Sequence, residues 1–357
     1  MAPLVKEFLK NTDLFETKIC VTAQHREMLD QVLDFFGIIP DYDLDLMRSG
    51  QSLNLLTARI FRELSPILES FKPDYVYVHG DTTTSMAAAI AGFYGGAKIC
   101  HIEAGLRTFN KQSPFPEEMN RCVTGSVADF HFAPTITSKN NLLRESVRED
   151  TISITGNTVI DALKMSIEKL KTYNSKELNN LKNTVDTNKK IILVTGHRRE
   201  NHGQGFINIC SALKQIATKN KEIEIVYPVH LNPKVLNPVH EILGTEKSIK
   251  LIKPLSYPSF VWLMNKAKII ITDSGGVQEE APSLGKPVLV MRNTTERPEA
   301  VESGTVILVG TDTDKIVLET TKLLKDTLLY DKMSKLHNPY GDGKSSKRIV
   351  EFIKNIV

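Results

Sequence analysis

The chain alternates short apolar runs with longer stretches in which apolar positions recur at helical spacing. In the first half the runs lie at 18–23, 75–80, 98–105, 130–134 and 152–156, with amphipathic stretches at 26–36, 51–71 and 82–94 between them. Short β-branched runs read as buried strands and the longer periodic stretches as helices, so the pattern predicts an α/β fold with a parallel, doubly wound sheet. The second half repeats the plan, with strands at 190–196, 224–230, 249–254, 267–273, 287–291 and 306–310. A polar stretch rich in Lys and Asn, 171–189, separates the halves and sets the expected boundary between domains 1–170 and 171–343. Ligands bind such sheets beyond the carboxyl ends of the strands, which predicts a cleft fed by both domains. Residues 1–10 read as a helix with Pro3 in its first turn, so the first domain opens one element late.

Composition narrows the class. A chain of 357 residues exceeds the usual span of one core and supports two domains. With 41% hydrophobic residues, 24% charged residues and a net charge of +3, it reads as a globular protein with no call for nucleic acid or a membrane surface. Four cysteines without C-x-x-C spacing fit reduced thiols and a cytoplasmic location. No run reaches membrane-spanning length, and no signal peptide is visible. H-x-x-x-H, G-x-G-x-x-G and Walker patterns are also missing, so the expectation is chemistry without metal or cofactor.

Candidate chemistry gathers where strands end. At 269–290 an apolar run reaches Asp273, Ser274, Gly275 and Gly276 and then a helix, a design that suits phosphate; Glu279 or Glu280, one turn on, is placed to accept from ribose hydroxyls. Ser274 acting only as a helix cap is the plain alternative. After the strand at 75–80, His79 and Asp81 precede Thr82, where Asp81 is either a cap or a reactive group. Glu103 and Arg107 end the next strand, while His101 alternates with its apolar neighbours and reads as packed. Glu117, Glu118 and Arg121 open a helix after two prolines; the helix dipole accounts for one of the two acids but not for everything there. Asp81, Glu103 and Glu117 in one cleft would have split pKa values, which serves removal and return of an unactivated proton. His197, Arg198 and Arg199 suit a diphosphate whose charge grows in the transition state. His230 is open between packing and function, Arg297 follows the strand at 287–291, and Phe260 and Trp262 read most simply as core, with one aromatic able to stack on a base.

Six ordered motifs, His79-Gly-Asp-Thr-Thr-Thr84, Glu103-Ala-Gly-Leu-Arg107, Pro116-Glu-Glu-Met-Asn-Arg121, Thr195-Gly-His-Arg-Arg-Glu200, Asp273-Ser-Gly-Gly-Val-Gln-Glu-Glu-Ala-Pro282 and Thr294-Thr-Glu-Arg-Pro-Glu299, closely resemble the bacterial non-hydrolysing UDP-N-acetylglucosamine 2-epimerases. That resemblance implies the GT-B architecture of two Rossmann-like domains, with a C-terminal helix, 344–357, returning to the first. It implies interconversion of UDP-GlcNAc and UDP-ManNAc through elimination of UDP to 2-acetamidoglucal, in a homodimer serving cell-envelope polysaccharide synthesis. By motif, Asp81, Glu103, Glu117 and His197 fall on the catalytic positions. Ser274, Gly275 and Gly276 fall on the phosphate contacts, Glu280 on the ribose, Arg297 on the sugar-phosphate, Phe260 beside uracil, and Arg121 among the substrate contacts. Gln24 and His25 fall on an effector site, although Glu27 and Gly50 stand where some members have Gln and Arg.

Family members carry a first strand and a G-T-R-P-E-A-I-K loop ahead of the position matching Met1, so the resemblance implies a chain lacking that segment. Three other readings follow: a hydrolysing epimerase, a GT-B glycosyltransferase, and an inactive nucleotide-sugar binder.

Overall fold

The Ser52 hydroxyl accepts from the Leu55 amide at 3.3 Å and starts the helix Leu53–Phe71, whose Leu56, Ile60 and Leu64 recur every four residues and are buried. That stripe packs with Ala87 and Ala91 of the helix Thr83–Tyr94. Gly92 lets the second helix approach the sheet closely, because a Cβ there would stand 2.9 Å from Ile99 Cδ1 and 3.0 Å from Val76 Cγ2. The structure, a computed structural model, describes residues 1–23, 26–46, 48 and 50–357, leaving aside the side chains of Glu27 and Met28.

Two compact units result, one formed by Met1–Ala162 with Tyr340–Val357, the other by Leu163–Pro339. In the first, β3 (Tyr75–His79), β4 (Lys98–Ile102), β5 (Phe130–Ala133) and β6 (Ile152–Ile154) form a parallel sheet in that order. β1 (Cys20–Val21) and β2 (Tyr42–Asp43) pair separately. The run at 18–23 thus yields a two-residue strand, and β2 escapes prediction because Asp41-Tyr-Asp43 has no apolar run. The four-stranded sheet buries Cys100, Ile102 and Phe132 against Leu4 and Phe8 of the helix Ala2–Phe8 and Ile349, Val350 and Ile353 of the helix Ser345–Lys354. The latter starts on Asp161, whose carboxylate accepts from the amides of Ser345 at 3.1 Å and Ser346 at 2.8 Å.

The second unit holds β7 (Lys190–Thr195), β8 (Ile223–Pro228), β9 (Ile249–Ile252), β10 (Ile269–Thr272), β11 (Val288–Val290) and β12 (Val306–Leu308). All six are parallel in the order β12-β11-β10-β7-β8-β9. The direction of strand addition reverses between β7 and β10, and at such a point the loops on the two sides part and leave a crevice. Between their ends both strands are apolar and buried, with Ile192, Val194, Ile269 and Ile271 in one core with Phe206, Tyr227 and Leu289.

The units divide inside the helix Thr158–Leu170, ahead of the polar stretch at 171–189. That stretch forms a helix of its own, Lys176–Thr184, capped by Ser175 and tucking in only Leu178 and Leu181. One apolar edge on a mostly solvated helix gives the composition of a linker.

Candidate active site

In the second unit the two strands of the switch point are tied at their carboxyl ends. The hydroxyls of Thr195 and Thr272 lie 2.6 Å apart, and the Ser274 amide donates to Thr272 Oγ1 at 3.0 Å. Asp273 follows, fully buried, and its Oδ2 accepts from the amides of His197 and Arg198, both at 2.9 Å, and from Asn201 Nδ2 at 3.3 Å. This carboxylate therefore shapes the loop that carries His197. The His197 ring stacks on His230, centroids 5.6 Å apart and planes at 22°, which gives His230 a role beside the loop.

The helix Gly275–Glu280 begins beyond Ser274, whose side chain makes no capping bond. The cap alternative for Ser274 therefore fails, and the first amides of the helix have no side-chain acceptor there. Arg297 lies across this end: a Cβ on Gly275 would stand 2.6 Å from its Nη1 and 2.8 Å from its Cζ. Its Nε donates to Glu279 at 2.5 Å and its Nη1 to Glu296 at 2.8 Å. Glu296 also accepts from Arg292 at 2.6 Å and Arg198 at 3.2 Å. Burial opposes its charge, but the Arg297 and Arg292 guanidiniums prevail and hold the Glu296 carboxyl at about 2.

The acid pair separates into two roles. Glu279 is committed to Arg297, whereas Glu280 Oε1 accepts from the Tyr257 hydroxyl at 3.1 Å, and burial pushes its carboxyl up to about 7. Tyr257 stands on the helix Tyr257–Lys266, whose buried face is Pro258, Ser259, Val261, Leu263 and Met264. Phe260 and Trp262 fall off that face and are only part-buried, which corrects the core reading of both.

The first unit carries a second constellation at the ends of β3 and β4. Arg121 donates to Asp81 Oδ2 through Nε at 3.0 Å and Nη2 at 2.7 Å, and to Glu118 Oε2 at 2.7 Å. Glu118 is buried and also accepts from the amides of Thr108 and Phe109 at 2.9 and 2.8 Å, so it is the structural member of its pair. Glu117, at the start of the same helix, Glu117–Val127, is part-buried. Glu103 adopts a left-handed backbone, φ +63°, a conformation a non-glycine residue holds only under constraint, and its Oε2 stands 3.6 Å from His79 Nε2. Burial drives the His79 imidazole well below its usual range, so this is a contact with a neutral ring. Arg107 points elsewhere, bonding Glu145 through both Nε and Nη2 at 2.7 Å. Gln24 and His25 lie outside the described residues.

Reading the residues in sequence gave no individual role to Asp273, Glu296, Tyr257 or Asn120, which the structure builds into the two constellations. Asp273 alone left a signal, an acid directly after the buried strand Ile269–Thr272. Among the described residues no helix is long and apolar enough to cross a membrane, and no group of three or more His, Cys, Asp and Glu side chains is arranged to hold a metal ion.

The family profile described as UDP-N-acetylglucosamine 2-epimerase matches residues 7–354. A UDP-N-acetylglucosamine 2-epimerase of Escherichia coli K12 is 59% identical, over 99% of this chain and 95% of that one. The Neisseria meningitidis UDP-GlcNAc 2-epimerase, solved bound to UDP-GlcNAc, superposes with a TM-score of 0.90 at 52% identity, covering 99% of this chain and 96% of that one. The S. aureus MnaA–UDP co-structure gives 0.88 at 43% identity, covering 100% and 92%. The fold is of the GT-B type, two Rossmann-like units each built on a parallel sheet. Matched by the family profile and by these relatives along nearly its whole length, the chain belongs to the UDP-N-acetylglucosamine 2-epimerase family.

Proposed function

We propose that this chain, an isomerase, interconverts UDP-GlcNAc and UDP-ManNAc by eliminating and re-adding UDP. The observation that carries the reading is the start of the helix Gly275–Glu280, with Arg297 laid over Gly275 and Glu280 one turn on. Backbone amides and a guanidinium suit the diphosphate, and Glu280 suits the ribose hydroxyls. Phe260, part-buried on its helix, is read as the contact for uracil.

The chemistry divides between the units. The second holds UDP, and His197, fixed by Asp273, meets the negative charge that grows as the bond from carbon 1 to UDP breaks. In the first unit, one of Asp81, Glu103 and Glu117 takes the proton from carbon 2, giving 2-acetamidoglucal. Protonation of carbon 2 on the opposite face, with return of UDP to carbon 1, inverts the centre. Arg121, bound to Asp81 and Glu118, sets the direction of the Asp81 carboxylate and contributes to the substrate contacts.

Reaction in heavy water tests the proposal. UDP-ManNAc carrying deuterium at carbon 2 is the expected product. Free ManNAc would mark a hydrolysing enzyme, an acceptor conjugate a glycosyltransferase, and binding without turnover an inactive nucleotide-sugar binder; each would overturn the assignment. Family resemblance further supports a homodimer, checked by sedimentation equilibrium. Four unpaired cysteines fit a cytoplasmic site, checked by fractionation.

A further inference from the structure

Three successive carbonyls at the end of β3 each accept a hydrogen bond from a side chain. Ser85 Oγ donates to the His79 carbonyl at 2.5 Å, His101 Nε2 to that of Gly80 at 2.9 Å, and Asn120 Nδ2 to that of Asp81 at 2.8 Å. The donors belong to three elements, the helix Thr83–Tyr94, β4 and the helix Glu117–Val127. Gly80 is the point where the backbone turns out of the strand, with φ +67°. A carbonyl only accepts, so His101 carries its proton on Nε2, and burial keeps the ring neutral.

Packing alone does not account for His101 and Asn120. Both are 1% exposed, and the far atom of each, His101 Nδ1 and Asn120 Oδ1, is buried with no hydrogen-bond partner. An apolar side chain would fill either position without that penalty. What the two bonds achieve is to hold the backbone on both sides of the Asp81 Cα, while Arg121, the next residue after Asn120, holds the carboxylate. Proton transfer at carbon tolerates little misplacement of the acting group.

We propose that His101 and Asn120 are positioning residues that fix the backbone of Asp81 for proton transfer. This deepens the function proposed above and rests on its reading of Asp81.

The test compares N120A, H101L, H101Q and D81N in the whole chain, measuring kcat and KM for UDP-GlcNAc, UDP affinity and thermal unfolding. A glutamine amide reaches about as far as Nε2 and restores a donor for the Gly80 carbonyl. N120A and H101L are expected to lose about ten- to a hundredfold in kcat, with KM and UDP affinity within about twofold of wild type. H101Q is expected to recover about tenfold of the kcat lost in H101L while unfolding at a similar temperature. The proposal falls if N120A and H101L keep wild-type kcat while D81N is inactive, or if H101Q is no better than H101L. Wild-type turnover in D81N would remove the reading of Asp81 and the clamp with it.

Discussion

The Tyr257 hydroxyl donates a 3.1 Å hydrogen bond to Glu280, a carboxyl that burial has pushed up to about 7. The bond favours the ionised form against desolvation, so it both orients Glu280 and keeps it ionisable near neutral pH. Y257F should therefore weaken UDP binding by about fivefold, the equivalent of roughly 1 kcal/mol. Calorimetric titration across pH 6 to 9 should also show the Glu280 midpoint moving upward in the variant; equal affinity and an unmoved midpoint would separate Tyr257 from the site.

Glu280 also sets a dependence of stability on pH. Its folded value of about 7 lies above the ordinary 4.5, so the fold disfavours the ionised form. The associated stability is complete below about pH 4.5 and is lost as pH rises through about 7. Glutamine is neutral throughout. E280Q should match wild type near pH 4.5 and exceed it at pH 8 by on the order of 3 kcal/mol, using about 1.4 kcal/mol for each unit of pKa. Thermal unfolding of both proteins across this range is the check, with UDP affinity lost in the variant as its stability rises.

Gly275 has no room for a side chain. Arg297 cannot simply swing away from a new Cβ, since Glu279 and Glu296 tie it down. G275A is expected to displace the guanidinium from the helix start and weaken UDP binding by about tenfold or more, the size of a lost charge-assisted contact of roughly 1.5–3 kcal/mol. Calorimetry with UDP decides; unchanged affinity would mean that Arg297 does not meet the nucleotide.

D81N and E117Q should lose turnover by about a hundredfold or more, the scale of general acid–base catalysis. UDP affinity should stay nearly unchanged, because the proposed UDP contacts belong to the other unit. If UDP binding collapsed in either variant, the acid would be structural.

Asp161 is a stability residue. Its carboxylate takes up two amides at the start of the helix Ser345–Lys354, and D161A leaves them buried without it. The expected cost is about 1–3 kcal/mol, with faster amide exchange at 345–350 and no direct effect on UDP binding. Hydrogen exchange localises the loss.

Much of this was legible in the sequence because parallel strands buried on both faces leave continuous apolar runs. Ten of the stretches from Tyr75–His79 to Val306–Leu308 were found in this way, and the helix Arg26–Phe36 was found from its periodicity. The strand Tyr42–Asp43 and the helix Lys176–Thr184 were obscured by polar composition, one pairing through backbone alone and the other resting on two leucines. Among site residues, glycines and strand-end acids stood out by position. The partition of Glu279 from Glu280 did not, because it depends on Arg297 and Tyr257, each well separated from the pair in sequence. His101 looked packed and is packed; its bond to the Gly80 carbonyl is a tertiary fact.

The helix Ser345–Lys354 completes a core that begins with Leu4 and Phe8. On a ribosome, residues 163–339 emerge and can bury their own core while residues 1–162 still wait for Ile349, Val350 and Ile353. The unit started first is finished last, so for most of its synthesis the apolar face of its sheet lacks the cover that this helix gives. Slowing translation late in the message should therefore lengthen that exposure and lower the yield of folded protein without altering its final stability.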